Sequence, residues 1–164
     1  ADGLESPWHD YAASIKSVII GSGVKTVGNY AFAGLKNLSS IEINAELKRL
    51  GDGAFYGCTA LSDIEGIEGV RIIGNDCFRG CSALSTIGIP SGCTSVGSYA
   101  FAGTAIKSIS VPKSVSNIGE GAFSGRPARG RHIQPRRQPA HSKKRVLRLQ
   151  GPQVRVHRLP QSYP

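Results

Sequence analysis

Three sets of residues in this 164-residue chain are of types that could do chemistry. His9 and Asp10 are neighbours, a pairing that can serve general acid–base catalysis. Cys58, Cys77, Cys81 and Cys93 could ligate a metal or form disulfides. A basic C-terminal stretch could hold phosphate or sulfate groups. The first two are weak. His9 is the only histidine before residue 126 and has no third orienting group, so no catalytic residue is assigned. The cysteines show no Cys-x-x-Cys spacing, which argues against a zinc site, and no metal or cofactor is expected. No glycine cluster has the form of a phosphate-cradling loop.

The elements that must position these residues are set by a repeat. Phenylalanine occurs at Phe32, Phe55, Phe78, Phe101 and Phe123, spaced 23, 23, 23 and 22 apart. Each is preceded by a Val/Leu/Ile-Gly step, placing Gly28, Gly51, Gly74, Gly97 and Gly119 in one frame. A fixed period of this length with one supersecondary unit per period predicts a solenoid. The expected fold is therefore a mainly β repeat solenoid, a right-handed coil of parallel sheet and short helical turns. Residues 1–14 form a lead-in, 15–125 about five coils, and 126–164 a tail.

Within a coil, runs such as Leu38, Ile41, Ile43 and Leu84, Ile87, Ile89 alternate apolar with polar positions and predict one short strand per coil. Gly66 breaks the pattern and leaves a hole that Ile67 partly fills. A second apolar pair, Val24/Val27, Leu47/Leu50, Val70/Ile73, Cys93/Val96 and Val115/Ile118, predicts a second strand. The following glycine is expected to permit a tight corner. Asn29, Asp52, Asn75 and Ser98 come next and are expected to N-cap a helical turn holding the Phe. The cysteines fall on repeat positions, where buried thiols act as small hydrophobes. Cys58 and Cys81 stack one coil apart, near the separation a disulfide accepts. Trp8 and Tyr11 precede the first strand and are expected to cover the open end of the first coil.

Laid out this way, the chain resembles the BspA-like, treponemal-type leucine-rich repeats. The motif Ile-Gly-x-x-Ala-Phe-x-Gly-Cys-x-x-Leu-x-x-Ile-x-Ile-Pro is matched nearly in full at Ile73–Pro90, and the resemblance covers residues 13–125. Leu35 and Thr104 depart from it at the Cys place, and Asn44 and Ile67 at the Pro place. The resemblance implies a non-enzymatic protein-interaction or adhesion module, a fragment of a longer cell-surface protein. It also implies an extracellular or cell-surface location and an extracellular protein partner from matrix, plasma or another cell, with no small-molecule substrate. No segment approaches the ~20 apolar residues of a membrane helix. One alternative is a set of targeting repeats belonging to a larger enzyme.

Two outward columns are candidate binding faces. The first sheet presents Ser17, Ser40, Asp63, Thr86 and Ser108, and beside them Ile19, Glu42, Glu65, Gly88 and Ser110, a polar face acidic at its middle. The second edge presents Lys25, Lys48, Arg49 and Arg71, a short basic stripe. Neither column carries the exposed aromatic anchors of an interface hot spot.

The chain holds 20 Lys/Arg against 11 Asp/Glu, but every acid lies within residues 1–125 alongside nine of the bases. Residues 126–164 are Pro/Arg-rich without an acid and are expected to be disordered. An alternative function follows, a polyanion (nucleic acid or glycan) binder acting through this tail. Another explanation displaces it and makes nucleic acid an unexpected partner. Read one base later, the degenerate codons of Lys143–Gln150 permit Lys-Asn-Ala-Phe-Tyr-Gly-Cys, the repeat's own motif, with its Phe beginning in the codon of Val146, 23 residues after Phe123. The same frame permits Leu at Pro152, Val at Arg155 and Ile at His157, all in register. The tail therefore reads as out-of-frame translation of a further coil, through a frameshift or a sequencing error. The coils would then stop at Gly125 with an uncapped apolar end.

Overall fold

The computed structural model describes residues 6–125 and the strand Arg155–Arg158. It is a solenoid of stacked parallel strands: β1 Ser17–Ile20, β2 Thr26–Val27, β3 Ser40–Ile43, β4 Arg49–Leu50, β5 Asp63–Glu65, β6 Ile72–Ile73, β7 Ser95–Val96, β8 Ser108–Val111, β9 Asn117–Ile118 and β10 Arg155–Arg158. The two-residue strands form one continuous sheet in the order β2-β4-β6-β7-β9. The longer strands form β1-β3-β5 and, separately, the pair β8-β10. Register follows the period, with Val18 opposite Ile41 and Ile41 opposite Ile64. The expected second strand and the mainly β solenoid are both present.

The core runs through the coils as stacked columns. Phe32, Phe55, Phe78, Phe101 and Phe123 stack with ring centroids 5.4–5.6 Å apart and planes within 10°. Trp8 continues the stack, 6.5 Å from Phe32 and nearly parallel to it, so it covers the first coil as expected. Tyr11 does not: it is 65% exposed, and it contributes through its carbonyl, which accepts from Ser14 and Ile15 N–H. Ser6, buried beside Trp8, donates to Ala31 O at 2.7 Å. Val24 is also exposed, unlike its repeat equivalents Leu47, Val70, Cys93 and Val115. It lies in the first coil, where no preceding strand packs on it.

Two local expectations are corrected. Asn29, Asp52 and Asn75 do not cap helical turns. Each side-chain oxygen instead accepts the backbone N–H of the equivalent residue one coil on, Asp52, Asn75 and Ser98, at 2.8–2.9 Å. The Phe segments are hydrogen-bonded turns, and the 3-10 turns among the described residues are His9–Tyr11 and Ile67–Gly69. The glycine of the Ile-Gly step is likewise no left-handed corner, since Gly51, Gly74, Gly97 and Gly119 all lack a positive φ. A Cβ there would stand 2.3–2.7 Å from backbone atoms of the preceding coil, so these glycines allow coils to approach. Left-handed positions recur instead at the residue two before each Phe, Tyr30, Gly53, Asp76, Tyr99 and Gly121, and at the glycine two after it in four coils, Gly34, Gly57, Gly80 and Gly103.

The expected one-strand-per-coil sheet is broken at the fourth coil. Leu84 and Ile89 are buried as predicted, yet residues 85–89 pair with neither neighbour. The cause lies on both sides. Gly66 turns left-handed with φ 82° where a Cβ would strike Ile43 O, and the chain detours through the 3-10 turn to bury Ile67. The next coil is one residue short, and Ala105 N–H reaches back to Leu84 O at 2.9 Å, drawing that coil out of the regular ladder.

Of the tail, Arg155–Arg158 pairs in parallel with β8, Arg155 opposite Ser108. Phe123 and Val111 of the last coil are buried. The other residues of the tail, including Val146 and Pro152 where the shifted frame restores the motif, lie outside the described residues.

Candidate functional site

The backbone ladders align the exposed side chains into rows. On the first sheet, β1, β3 and β5 set Ser17, Ser40 and Asp63 in one register row and Ile19, Glu42 and Glu65 in the next. Glu42 is held by a 2.8 Å hydrogen bond from Asn44 Nδ2. Ile19, 66% exposed, heads the acidic row.

The basic stripe divides into two rows. Lys48 N–H donates to Lys25 O, Arg71 N–H to Lys48 O and Thr94 N–H to Arg71 O, so Lys25, Lys48 and Arg71 share one row. Arg49 belongs to the adjoining row, between Thr26 and Ile72. A fifth residue, not picked out in the sequence, enters the stripe. Glu46 accepts from Lys25 Nζ at 3.1 Å, and that hydrogen bond, aided by the Lys25 and Lys48 charges, holds its carboxyl below the ordinary value. Both partners are largely exposed, so water screens this pair. Lys48, Arg49 and Arg71 form no ion pair among the described residues.

A third face was missed because its residues lie in the turns rather than the strands. Tyr30 lays its ring over Gly53 of the next coil, and Tyr99 lays its own over Gly121. The Arg79 guanidinium sits 5.0 Å from the Tyr99 ring centroid, and its Nη1 donates to Asp76 Oδ1 at 3.0 Å. Tyr56 is exposed one coil before Arg79. The signal was in the sequence: two before each Phe, the turn reads Tyr, Gly, Asp, Tyr, Gly, so a bulky ring can cover the glycine that follows it.

The groups that could have done chemistry are placed apart. His9 and Asp10 stand exposed on the 3-10 turn with no hydrogen bond between them. All four cysteines are free and buried, and Cys58 and Cys81 are unbridged. The Cys58 thiol donates to Phe32 O at 3.1 Å and the Cys81 thiol to Phe55 O at 3.2 Å, so each satisfies a carbonyl of the preceding coil. Burial pushes the Cys58 thiol up to about 12 and raises Cys77, Cys81 and Cys93 as well. These remain thiols near neutrality and are poor nucleophiles. Among the described residues no cluster of His, Cys, Asp and Glu could hold a metal.

The description of the BspA type leucine-rich repeat region matches residues 8–128 in six copies. The chain is similar in structure to a leucine-rich repeat protein from Bacteroides ovatus, with 32% identity and a TM-score of 0.63 over 66% of this chain and 30% of that one. It is similar to the T. pallidum leucine-rich repeat protein, with 30% identity and a TM-score of 0.63 over 66% of this chain and 54% of that one. A leucine-rich cell surface protein from Faecalibacterium prausnitzii gives 30% identity and a TM-score of 0.57, over 64% and 32% of the two chains. The chain thus spans between 30% and 54% of the length of these three proteins. No curated protein matches it.

Proposed function

This chain belongs to the BspA-type leucine-rich-repeat family, and from that premise we propose that it is a non-enzymatic protein-interaction module of a longer cell-surface protein, acting in adhesion. The observation that carries the reading is the register of the ladders. They hold exposed charges in rows at the spacing of adjacent parallel strands, Glu42 beside Glu65 and Lys48 beside Arg71, on segments whose backbone is hydrogen-bonded from coil to coil. Rigid rows of this kind offer an extended face at little ordering cost to a partner. The F. prausnitzii relative, described as a cell surface protein, supports the location. So does the family; and no helix of the described residues is long and apolar enough to cross a membrane.

The test is retention of matrix proteins, plasma proteins and whole cells by the immobilised full chain. The native chain is compared with Lys48→Glu/Arg49→Glu/Arg71→Glu and Glu42→Lys/Asp63→Lys/Glu65→Lys variants. A partner held by the native chain and lost on reversal of one face supports the module and identifies its face. Retention of nothing, or of partners indifferent to both reversals, refutes the reading of these rows. The basic tail outside the described residues is read as out-of-frame sequence with no selected role; DNA sequencing that finds no repeat codons beneath it would overturn that.

A further inference from the structure

The break in the first sheet opens a cleft of about 300 Å³ between β5 and the fourth and fifth coils. We propose that this cleft is a pocket for one basic side chain, lysine or arginine, of a partner protein. The inference rests on the interaction-module reading and names the chemistry that module would recognise.

Four features of the cleft point the same way. The first is backbone. In the equivalent segments of the other coils the strands are hydrogen-bonded to a neighbouring strand, but the backbone of residues 85–89 has no hydrogen-bond partner among the described residues. Of these, Thr86, Ile87 and Gly88 line the cleft. Carbonyls with free lone pairs are acceptors awaiting a donor.

The second feature is charge. Among the described residues, Asp63 is the only ionisable one lining the cleft. It makes no ion pair among the described residues, and Glu42 and Glu65 add negative charge on the same face. Lys107 precedes Ser108 in the chain but does not line the cleft, and it pairs with no acid among the described residues. A carboxylate with nearby hydroxyl and carbonyl oxygens favours a group that only donates, which describes an ammonium or guanidinium.

The third feature is shape. The volume is at the lower limit of ligand sites, suited to a side chain rather than a cofactor. Ile64 and Ile87 supply apolar wall for a methylene stem while Ser62, Thr86 and Ser108 supply hydroxyls. The fourth is Gly88. Unlike the ladder glycines, it has no atom within 4 Å of where a Cβ would stand, so packing does not require its missing side chain. In its outward row Ile19, Glu42, Glu65 and Ser110 all carry one. Its absence leaves the mouth open.

The probe is Nα-acetyl-arginine amide, titrated into the 15N-labelled full chain and followed by amide chemical shifts, with the lysine amide in parallel. The neutral isostere Nα-acetyl-citrulline amide serves as control. Saturable shifts confined to residues 63–65 and 85–89 are expected for the cationic amides. Affinity for citrulline amide should be weaker by about tenfold, the worth of one charge-assisted hydrogen bond. Asp63→Asn should weaken the arginine amide by a similar factor. Gly88→Ile should fill the mouth and abolish the shifts while leaving the remaining spectrum that of the folded chain. The proposal is overturned by shifts that do not saturate, by equal binding of the citrulline amide, or by binding undiminished in Asp63→Asn or in a folded Gly88→Ile. Such a failure is distinguishable from failure of the module, because retention of whole proteins is measured separately and does not require this pocket.

Discussion

Replacing Gly97 by alanine would put a Cβ 2.4 Å from Asn75 N, 2.5 Å from Gly74 C and 2.7 Å from Asn75 Cα. All three are backbone atoms of the preceding coil, so no rotamer change relieves the contact. Restoring a carbon contact of about 3.5 Å requires the two coils to separate by about 1 Å. That separation stretches the inter-coil bonds nearest the site, Gly97 N–H to Ile73 O at 2.8 Å, Ser98 N–H to Asn75 Oδ1 at 2.9 Å and Asp76 N–H to Ser98 O at 2.8 Å, beyond hydrogen-bond length. At about 1 kcal/mol for each of three bonds, the cost is about 3 kcal/mol. Gly28 is the internal control. It has the same place in the first coil, no positive φ and nothing within 4 Å of a Cβ, because no coil precedes it. Gly28→Ala should therefore be neutral or stabilise by about 0.4–1 kcal/mol through the unfolded chain. Urea unfolding followed by circular dichroism reads the difference. With a slope of about 1–3 kcal/mol/M, Gly97→Ala should lower the midpoint by about 1–3 M while Gly28→Ala leaves it or raises it slightly. Equal midpoints for the two variants would refute the claim that these glycines exist for coil-to-coil approach.

Phe78→Ala removes a ring stacked at 5.4 Å on both sides and should cost about 3–5 kcal/mol by the same assay, more than loss of the only partly buried Phe32. Asn75→Ala, which strands Ser98 N–H at an exposed edge, should cost about 0.5–1.5 kcal/mol, and a loss as large as that of Phe78→Ala would mean the ladder bond is more than local. All four cysteines should resist Ellman's reagent in the native chain and react once it is unfolded in urea; rapid native labelling of Cys77 or Cys81 would contradict their burial. Because burial raises the folded Cys58 pKa from near 9 to about 12, its stabilising contribution is complete below pH 9 and is lost as pH rises towards 12. Cys58→Ala should make this alkaline decline shallower, the other three buried thiols keeping the rest of it, measured as urea midpoints between about pH 8 and 11; an unchanged slope would refute the assignment.

Much of the architecture was legible before any coordinates because a repeat states its rule several times. The five-phenylalanine spacing gave the coil length, the alternation at Ile41/Ile43 and Ile109/Val111 gave the inward faces, and the second apolar pair gave the second sheet. The candidate rows followed by counting: Glu42 and Glu65 are 23 apart, and so are Lys48 and Arg71. Where the reading erred, it assigned to one coil what belongs to two. Gly97 looked like a corner and Asn75 like a helix cap, since propensities describe a residue's effect on its own backbone. Here each acts on the neighbouring coil.

The sequence by itself therefore determined the period, the inward residues and the family, because these depend on hydrophobic patterning that repeats in one dimension. Only the tertiary structure decided what happens between coils. It set the ladder of Asn29, Asp52 and Asn75 side chains on the following coil's N–H groups, the rings of Tyr30 and Tyr99 over Gly53 and Gly121, and the free thiols of Cys58 and Cys81 on carbonyls of the coil before. It also decided the cleft at the fourth coil, where apolar residues keep their period while the backbone leaves the ladder. The physical reason is that side-chain burial tolerates a shift that a hydrogen bond, confined to about 2.7–3.2 Å, does not.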